Sequence, residues 1–379
     1  MDKTEAASAV PEIQCFVNTG SKPVPLDPGA PSSISREKLP GKTELTYGQY
    51  LGSVSRLLSQ NSFHILRELV TKLPAPTRNL EEAISIELTA EKHGALYSVS
   101  RLLLRFPGQT LRFAVNCAFS PEQQAFLRVE ANLLADLRAR FALPYLPEHY
   151  VCAEAPGLMV FIAEWFENHH EFHLSAGDSD APVIQIWEED GSRKVLEEAK
   201  IPALYARAAK ILTSYLDPES FSQIYPWHHA AGDFIIDANQ NPPSLKLITV
   251  RGYRPLLSRN SDSHDKMLGA LHFFVNLCVR MRMDRLDGVG KLAWAGADCL
   301  PGIVSGFMDA WETKRKSSTL PSAEEIFSLL LALSPEELLA FAEVVAADGM
   351  VEADEAEFLL PRLRGCMVEL SDTLKKHKS

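Results

Sequence analysis

The sequence predicts an α+β protein, and three observations carry that expectation. Short runs of alternating apolar residues recur between Ile84 and Phe119, the pattern of half-buried strands. Longer stretches, Ser120 to Arg140, Ile201 to Leu216, Asp265 to Met283 and Leu300 to Lys314, read as helices with a buried face. Between them lies Ile224 to Leu256, where two apolar runs, Phe234 to Ile236 and Leu245 to Val250, flank a turn rich in Asp, Asn, Pro and Ser. Such turn residues end strands, so this stretch predicts a β-hairpin, with His228, His229 and Asp233 at its mouth.

Composition bounds the function classes. A chain of 379 residues, 46% apolar and 23% charged, is globular and long enough for two or three cores. Its net charge of −11 argues against a broad nucleic-acid-binding surface, which needs clustered Lys and Arg. The six cysteines include no C-x-x-C pair, so neither a zinc site nor a disulfide framework is indicated, and a reduced cytoplasm is the expected compartment. No cationic start leads into an apolar core, and no apolar run approaches about 18 residues, so neither a signal peptide nor a membrane span is expected.

Taken in order, residues 1–45 are rich in Pro, Ser and Gly and read as a flexible leader. Residues 46–80 carry Leu51, Val54, Leu57, Leu58, Ile65, Leu66 and Leu69 at helical spacing, enough for one or two amphipathic helices. Three strands follow, Ile84 to Leu88, Val99 to Phe106 and Leu111 to Phe119, the last two joined by a Pro107-Gly108 turn. Ser120-Pro121-Glu122-Gln123 has an N-cap, a Pro at the first helical position and a capping-box Gln, and so opens a helix. Two more strands, Tyr150 to Ala153 and Leu158 to Ala163, lead into Glu164-Trp165-Phe166. The dense run His169, His170, Glu171 and His173 is read against a metal site, because ligands need converging geometry rather than proximity in sequence. Val183 to Trp187 suggests a small inserted hairpin, and Arg280, Arg282 and Arg285 read as a solvated helix end. From residue 319 to 379 the pattern is helical, with Ser322 and Ser334 as N-caps followed by acids.

The hairpin and the strand order before it resemble the protein-kinase-like fold in the style of the aminoglycoside and choline phosphotransferases. Gly232-Asp233 stands on the family's Gly-Asn step, which puts His228 at the catalytic-Asp position and Thr249 at the second metal-binding Asp. A rival register makes Asp233 itself the catalytic Asp, but Ala238 then occupies the Asn position. The third strand, Phe113 to Ala118, is similar to the family's V-A-I-K strand with Asn116 in place of the lysine, and Glu130 sits where the family's helix glutamate pairs with that lysine. Lys92 or Arg101 are the candidate partners left to Glu130. The resemblance implies a two-lobed fold, with a small lobe of antiparallel strands over residues 81–166, a mainly helical large lobe over 167–318 and a helical module over 319–379. Within that module, Val344 to Glu355 resembles the D-G-x-V turn of tellurite-resistance-type helical modules.

What the resemblance implies for chemistry divides two ways. An active phosphotransferase would use ATP and Mg²⁺, with His228 or His229 as general base and Asp233 and Thr249 at the metal. Nucleotide would then lie against Lys92, Gly94, Asn116, Glu130, Glu164 and Arg251. The preferred expectation is a pseudoenzyme acting as a nucleotide-sensing or protein-interaction scaffold, with a protein partner on the C-terminal helices. Asn116, His228 and Thr249 each lack a charge or base the reaction needs. Asp233 could equally be structural, capping the turn that starts at His228.

Overall fold

The computed structural model describes residues 9–20, 22–30, 32–38, 45–73, 79–93, 96–177, 182–257, 262–316, 318–349 and 353–378. The fold is α+β and falls into two compact units. The first comprises Met1–Arg140, Pro147–Glu167 and Glu189–Gly191; the second comprises Phe141–Leu146, Asn168–Glu188 and Ser192–Ser379.

The first unit contains β1 (Ile13–Asn18), β2 (Pro23–Leu26), a single turn α1 (Ser33–Arg36), α2 (Tyr47–Thr71), β3 (Ser85–His93), β4 (Ser98–Phe106) and β5 (Gln109–Ala118). It closes with α3 (Pro121–Phe141), whose last residue belongs to the second unit, β6 (His149–Ala155) and β7 (Leu158–Glu164). One seven-stranded sheet runs β2-β1-β3-β4-β5-β7-β6, antiparallel throughout except where β1 lies parallel to β3. The strands and the helix from Ser120 stand where the alternation and the capping box predict them. Gln123 Oε1 accepts from Ser120 N–H at 3.2 Å, and Ser120 Oγ accepts from Gln123 N–H at 3.2 Å.

The leader expectation is corrected by β1 and β2. Cys15 and Val17 alternate into the core, and Leu26 joins them. The Pro- and Gly-rich surroundings mask this short period-two pattern, and a parallel partner far along the chain offers no local turn signal. Thr46 opens α2 with a capping box to Gln49. The helix breaks at Asn61, Ser62 and Phe63, with φ of 48, 56 and 61°, so the stretch holds two helical segments. Its buried stripe, Tyr50, Leu51, Val54, Leu57, Leu58, Leu66 and Leu69, packs with Ile86, Leu88, Leu102, Leu104 and Val115 in one core. Each such burial is worth about 1.5–3 kcal/mol, which is what holds a helix of mixed composition on the sheet.

The second unit begins its sheet with β8 (His170–Ser175), β9 (Val183–Trp187) and β10 (Arg193–Val195), followed by α4 (Ile201–Ser214) and β11 (Gln223–Ile224). Next come β12 (Ala231–Asp237), β13 (Ser244–Leu247), β14 (Tyr253–Arg254), α5 (Ser263–Arg280), β15 (Met283–Arg285) and β16 (Leu292–Trp294). The helices α6 (Leu300–Arg315), α7 (Ala323–Ala332), α8 (Pro335–Gly349) and α9 (Ala353–Lys378) complete it. A five-stranded antiparallel sheet, β10-β9-β8-β12-β13, occupies a region expected to be mainly helical. The His-rich run supplies its middle strand: alternation at Phe172 and Leu174 was hidden by the polar residues between them.

Helices α4 and α6 approach closely because Gly302 and Gly306, one turn apart, face carbonyls of α4. Phe273, Phe274, Phe307, Trp311 and Phe327 form the aromatic centre, with Phe274 and Phe307 rings 4.7 Å apart and Phe307 stacked on Trp311 at 5.0 Å. Ser322 caps α7 in a capping box with Glu325, and Ser334 exchanges hydrogen bonds with Glu337 at the start of α8. The turn between α8 and α9, residues 350–352, lies outside the described residues.

The arginine expectation is also corrected. Arg280 and Arg282 are buried, and Arg280, Arg282 and Arg285 bind Glu355, Glu369 and Asp354 of α9. A run of like charges at a helix end is solvated by default, but here acids some 70 residues or more along the chain cover it. Among the described residues, no helix is long and apolar enough to cross a membrane, and all six cysteines are free thiols.

Candidate functional site

The hairpin forms as the turn chemistry predicts. Phe234 pairs with Leu247, Ile235 with Lys246, Ile236 with Leu245 and Asp237 with Ser244. Entry into β12 goes through Gly232 at φ +90°, where an added Cβ would sit 3.0 Å from Glu171 Oε1 on β8. Only glycine adopts that backbone without strain.

Asp233 closes the mouth from inside. It is 2% exposed, and each carboxylate oxygen has a donor. Oδ2 accepts from the His228 N–H at 2.7 Å, and Oδ1 accepts from Arg251 Nη2 at 2.6 Å. Its carbonyl accepts from the Ile248 N–H at 2.8 Å, which ties the loop to the return strand beside the half-buried Thr249. Burial pushes its carboxyl above the usual aspartate range, and Arg251 and His228 offset this only in part.

A second acid, Asp284 of β15, serves the two histidines, and the sequence reading missed it. Its Oδ2 accepts from the Ala230 N–H at 2.8 Å and lies 3.2 Å from His229 Nδ1. Its Oδ1 accepts from the Arg285 N–H at 2.8 Å and lies 3.8 Å from His228 Nδ1. Burial alone would raise this carboxyl, but His229, His228 and the Ala230 amide outweigh burial and hold it below the usual range. The one signal in the sequence is an acid set inside a run of arginines. Tyr205 of α4, also missed, completes the cluster with its hydroxyl 3.1 Å from His229 Nε2. Burial raises that hydroxyl well above the usual tyrosine value.

The paired histidines therefore differ. His229 is fully buried between Tyr205 and Asp284, a core position that no solvent-borne acceptor touches. His228 is half-buried, with 23% of its side chain exposed. Of the two, His228 alone is placed to meet a ligand.

A divalent metal does not fit this donor set. Asp233 is buried with its charge met by Arg251, Thr249 brings no charge, and among the described residues no group of three or more His, Cys, Asp or Glu side chains could hold an ion. The histidines of the His-rich run have different neighbours: His170 pairs with Glu188 at 3.3 Å, His173 Nε2 lies 3.6 Å from Glu171 Oε2 with its ring 4.1 Å from the Trp187 ring, and His169 Nε2 meets Ser244 Oγ at 3.1 Å.

The residues expected at nucleotide divide between the units. Arg251 is in the second, committed to Asp233; Asn116, Glu130 and Glu164 are in the first. Asn116 is half-buried in β5 between Val99 and Phe161, and Glu130 is buried in α3. Glu164 ends β7, where its Oε2 accepts from the Glu148 N–H at 3.1 Å. Arg101, a candidate partner for Glu130, pairs with Glu91 at 2.9 Å. Lys92 lies on β3, but its side chain and Gly94 fall outside the described residues.

No protein-family model and no curated protein matches this chain.

Proposed function

We propose that this chain is a divergent, two-lobed kinase-like protein that has lost phosphoryl transfer and works as a protein-interaction scaffold. Three features support the kinase-like reading: the antiparallel run β3-β4-β5-β7-β6, the helix α3 between β5 and β6, and the hairpin β12-β13 that carries Asp233 at its mouth. The observation that carries the loss of chemistry is Asp233 itself. It is 2% exposed and its charge is already met by Arg251 at 2.6 Å, so a divalent ion would have to displace that arginine, with only the uncharged Thr249 beside it. On the C-terminal helices, Val344 of α8 and Leu360 and Val368 of α9 are exposed apolar side chains open to a partner.

One observation favours the active alternative. His228 is 23% exposed and its Nδ1 lies 3.8 Å from the Asp284 carboxylate, the placement a general base oriented by an acid requires. A single assay separates the two: consumption of ATP with Mg²⁺ or Mn²⁺ by the full chain, with its own hydroxyls and a panel of amino alcohols as acceptors. The scaffold reading expects the wild type and His228→Ala to be indistinguishable from the buffer blank. Metal-dependent turnover that disappears in His228→Ala would overturn it.

A further inference from the structure

Six consecutive residues, Arg280 to Arg285, serve two structures at once. Towards α9, Arg280 Nη1 donates to Glu355 Oε2 at 2.7 Å, Arg282 bonds Glu369, and Arg285 Nη2 donates to Asp354 Oδ2 at 2.9 Å. Towards the histidine loop, Asp284 holds the Ala230 amide and lies against both imidazoles. A second route runs through Arg280, whose guanidinium lies 5.8 Å from the centre of the Tyr225 ring, three residues before His228. Tyr225 N–H in turn donates to Gly252 O at 3.0 Å, next to the arginine that holds Asp233. An added Cβ on Gly252 would lie 2.6 Å from Tyr225 O, so this backbone contact is close on both strands of the loop.

From this we infer that α9 is a clamp on the histidine loop. Its acids Asp354, Glu355 and Glu369 hold Arg280, Arg282 and Arg285, and the same segment holds Tyr225, His228 and His229, so that release of α9 loosens the site. The inference goes beyond the scaffold reading and does not depend on whether the site is catalytic.

The chemistry of the contact suits a separable joint. Apolar residues of similar size would commonly hold a buried helix at least as firmly as ion pairs, because desolvation offsets much of the Coulomb attraction. The later turns of α9 are held by an apolar stripe, Leu359, Leu363, Cys366, Met367, Leu370 and Leu374, so it is the first turn, with Asp354 and Glu355, whose carboxylates a competing cation can draw off.

Coupling between two sites is reciprocal, which makes the clamp testable from both ends. Hydrogen–deuterium exchange on the full chain would compare wild type with Glu355→Gln, Asp354→Asn and Asp284→Asn. The peptides to follow are the first turns of α9, residues 224–233, and the β4-β5 hairpin of the first unit as an internal control. Both α9 variants are expected to raise exchange in α9 and in 224–233 by at least about fivefold and to leave β4-β5 unchanged. Asp284→Asn is expected to raise exchange in α9 as well as in its own loop. Should Glu355→Gln unfold the second unit, Asp354→Asn decides alone, because its side chain is 53% exposed and its removal leaves the buried pair intact. The clamp is overturned if α9 loosens while 224–233 keeps wild-type exchange, or if Asp284→Asn loosens the loop and leaves α9 untouched.

Discussion

Glu355→Ala is expected to destabilise the second unit by about 3–5 kcal/mol, the cost of leaving a buried charge without its partner. Glu355 and Arg280 are each 3% exposed in their side chains, so water cannot replace the lost carboxylate. The remaining neighbour of the guanidinium, the Tyr225 ring, offers attraction without a negative charge. Denaturant unfolding followed by tryptophan fluorescence reads the loss directly, since Trp187, Trp227, Trp294 and Trp311 all report from the second unit. Two companions make the result specific. Glu336→Ala, in a pair with Arg364 whose side chains are 74% and 63% exposed, is expected to cost less than about 1 kcal/mol. Arg280→Met combined with Glu355→Leu is expected to recover most of the loss, as an apolar pair of similar volume commonly does. A Glu355→Ala protein within about 1 kcal/mol of wild type would mean that the pair is not buried as described.

The second large effect is one of sign. Alanine ordinarily stabilises a helix relative to glycine by about 1 kcal/mol. At Gly306 the expectation reverses, because a Cβ there would lie 2.0 Å from the carbonyl oxygen of Ala206, and a Cβ on Gly302 would lie 2.1 Å from that of Pro202. Backbone oxygens cannot swing aside, so α4 and α6 must separate, at a net cost of about 1–3 kcal/mol. Tyr205 lies on α4 between those two contacts, so the shift also disturbs its hydrogen bond to His229. Gly365 of α9 is the internal reference, since an added Cβ meets nothing within 4 Å. Gly365→Ala is expected to raise the melting temperature and Gly306→Ala to lower it. Two changes of the same sign would contradict the packing of α4 on α6.

How far the sequence could be read follows from the range of the interactions involved. The hairpin is local: alternation at Phe234 and Ile236 and the turn chemistry before Ser244 are written in adjacent residues, and the strands pair accordingly. Asp233 as a cap is local too, because its donor is an amide five residues earlier. Arg251 is visible as a charge near the mouth, but the resemblance places it against nucleotide, whereas it pairs with Asp233. That choice depends on where two side chains point, which no spacing specifies.

Asp284 was out of reach, because the amide that it accepts from is 54 residues away and no periodicity links β15 to the loop before β12. The same holds for the arginines of α5, whose meaning is carried by acids on α9. Two adjacent histidines also look alike in sequence. Tyr205 and Asp284 bury His229 and leave His228 partly exposed, a distinction made entirely by tertiary contacts. In the leader, β1 was lost for a different reason: composition outweighed a pattern only six residues long.

If Asp233 holds the loop together and does not hold a metal, melting of three proteins with and without ATP and Mg²⁺ separates the two roles. A ligand that binds only the folded state raises the melting temperature, so the increment reports binding whatever the starting stability. Without ligand, Asp233→Ala is expected to melt lower, with loss of the cap alone worth about 0.5–2 kcal/mol, and Asp233→Asn to fall between it and wild type, because Asn can still accept from the His228 amide but loses the ion pair with Arg251. With Mg-ATP, a structural Asp233 gives the same increment in wild type, Asp233→Asn and Asp233→Ala. An increment that is present in wild type, retained in Asp233→Asn and abolished in Asp233→Ala would contradict it, and would return Asp233 to the role of metal ligand.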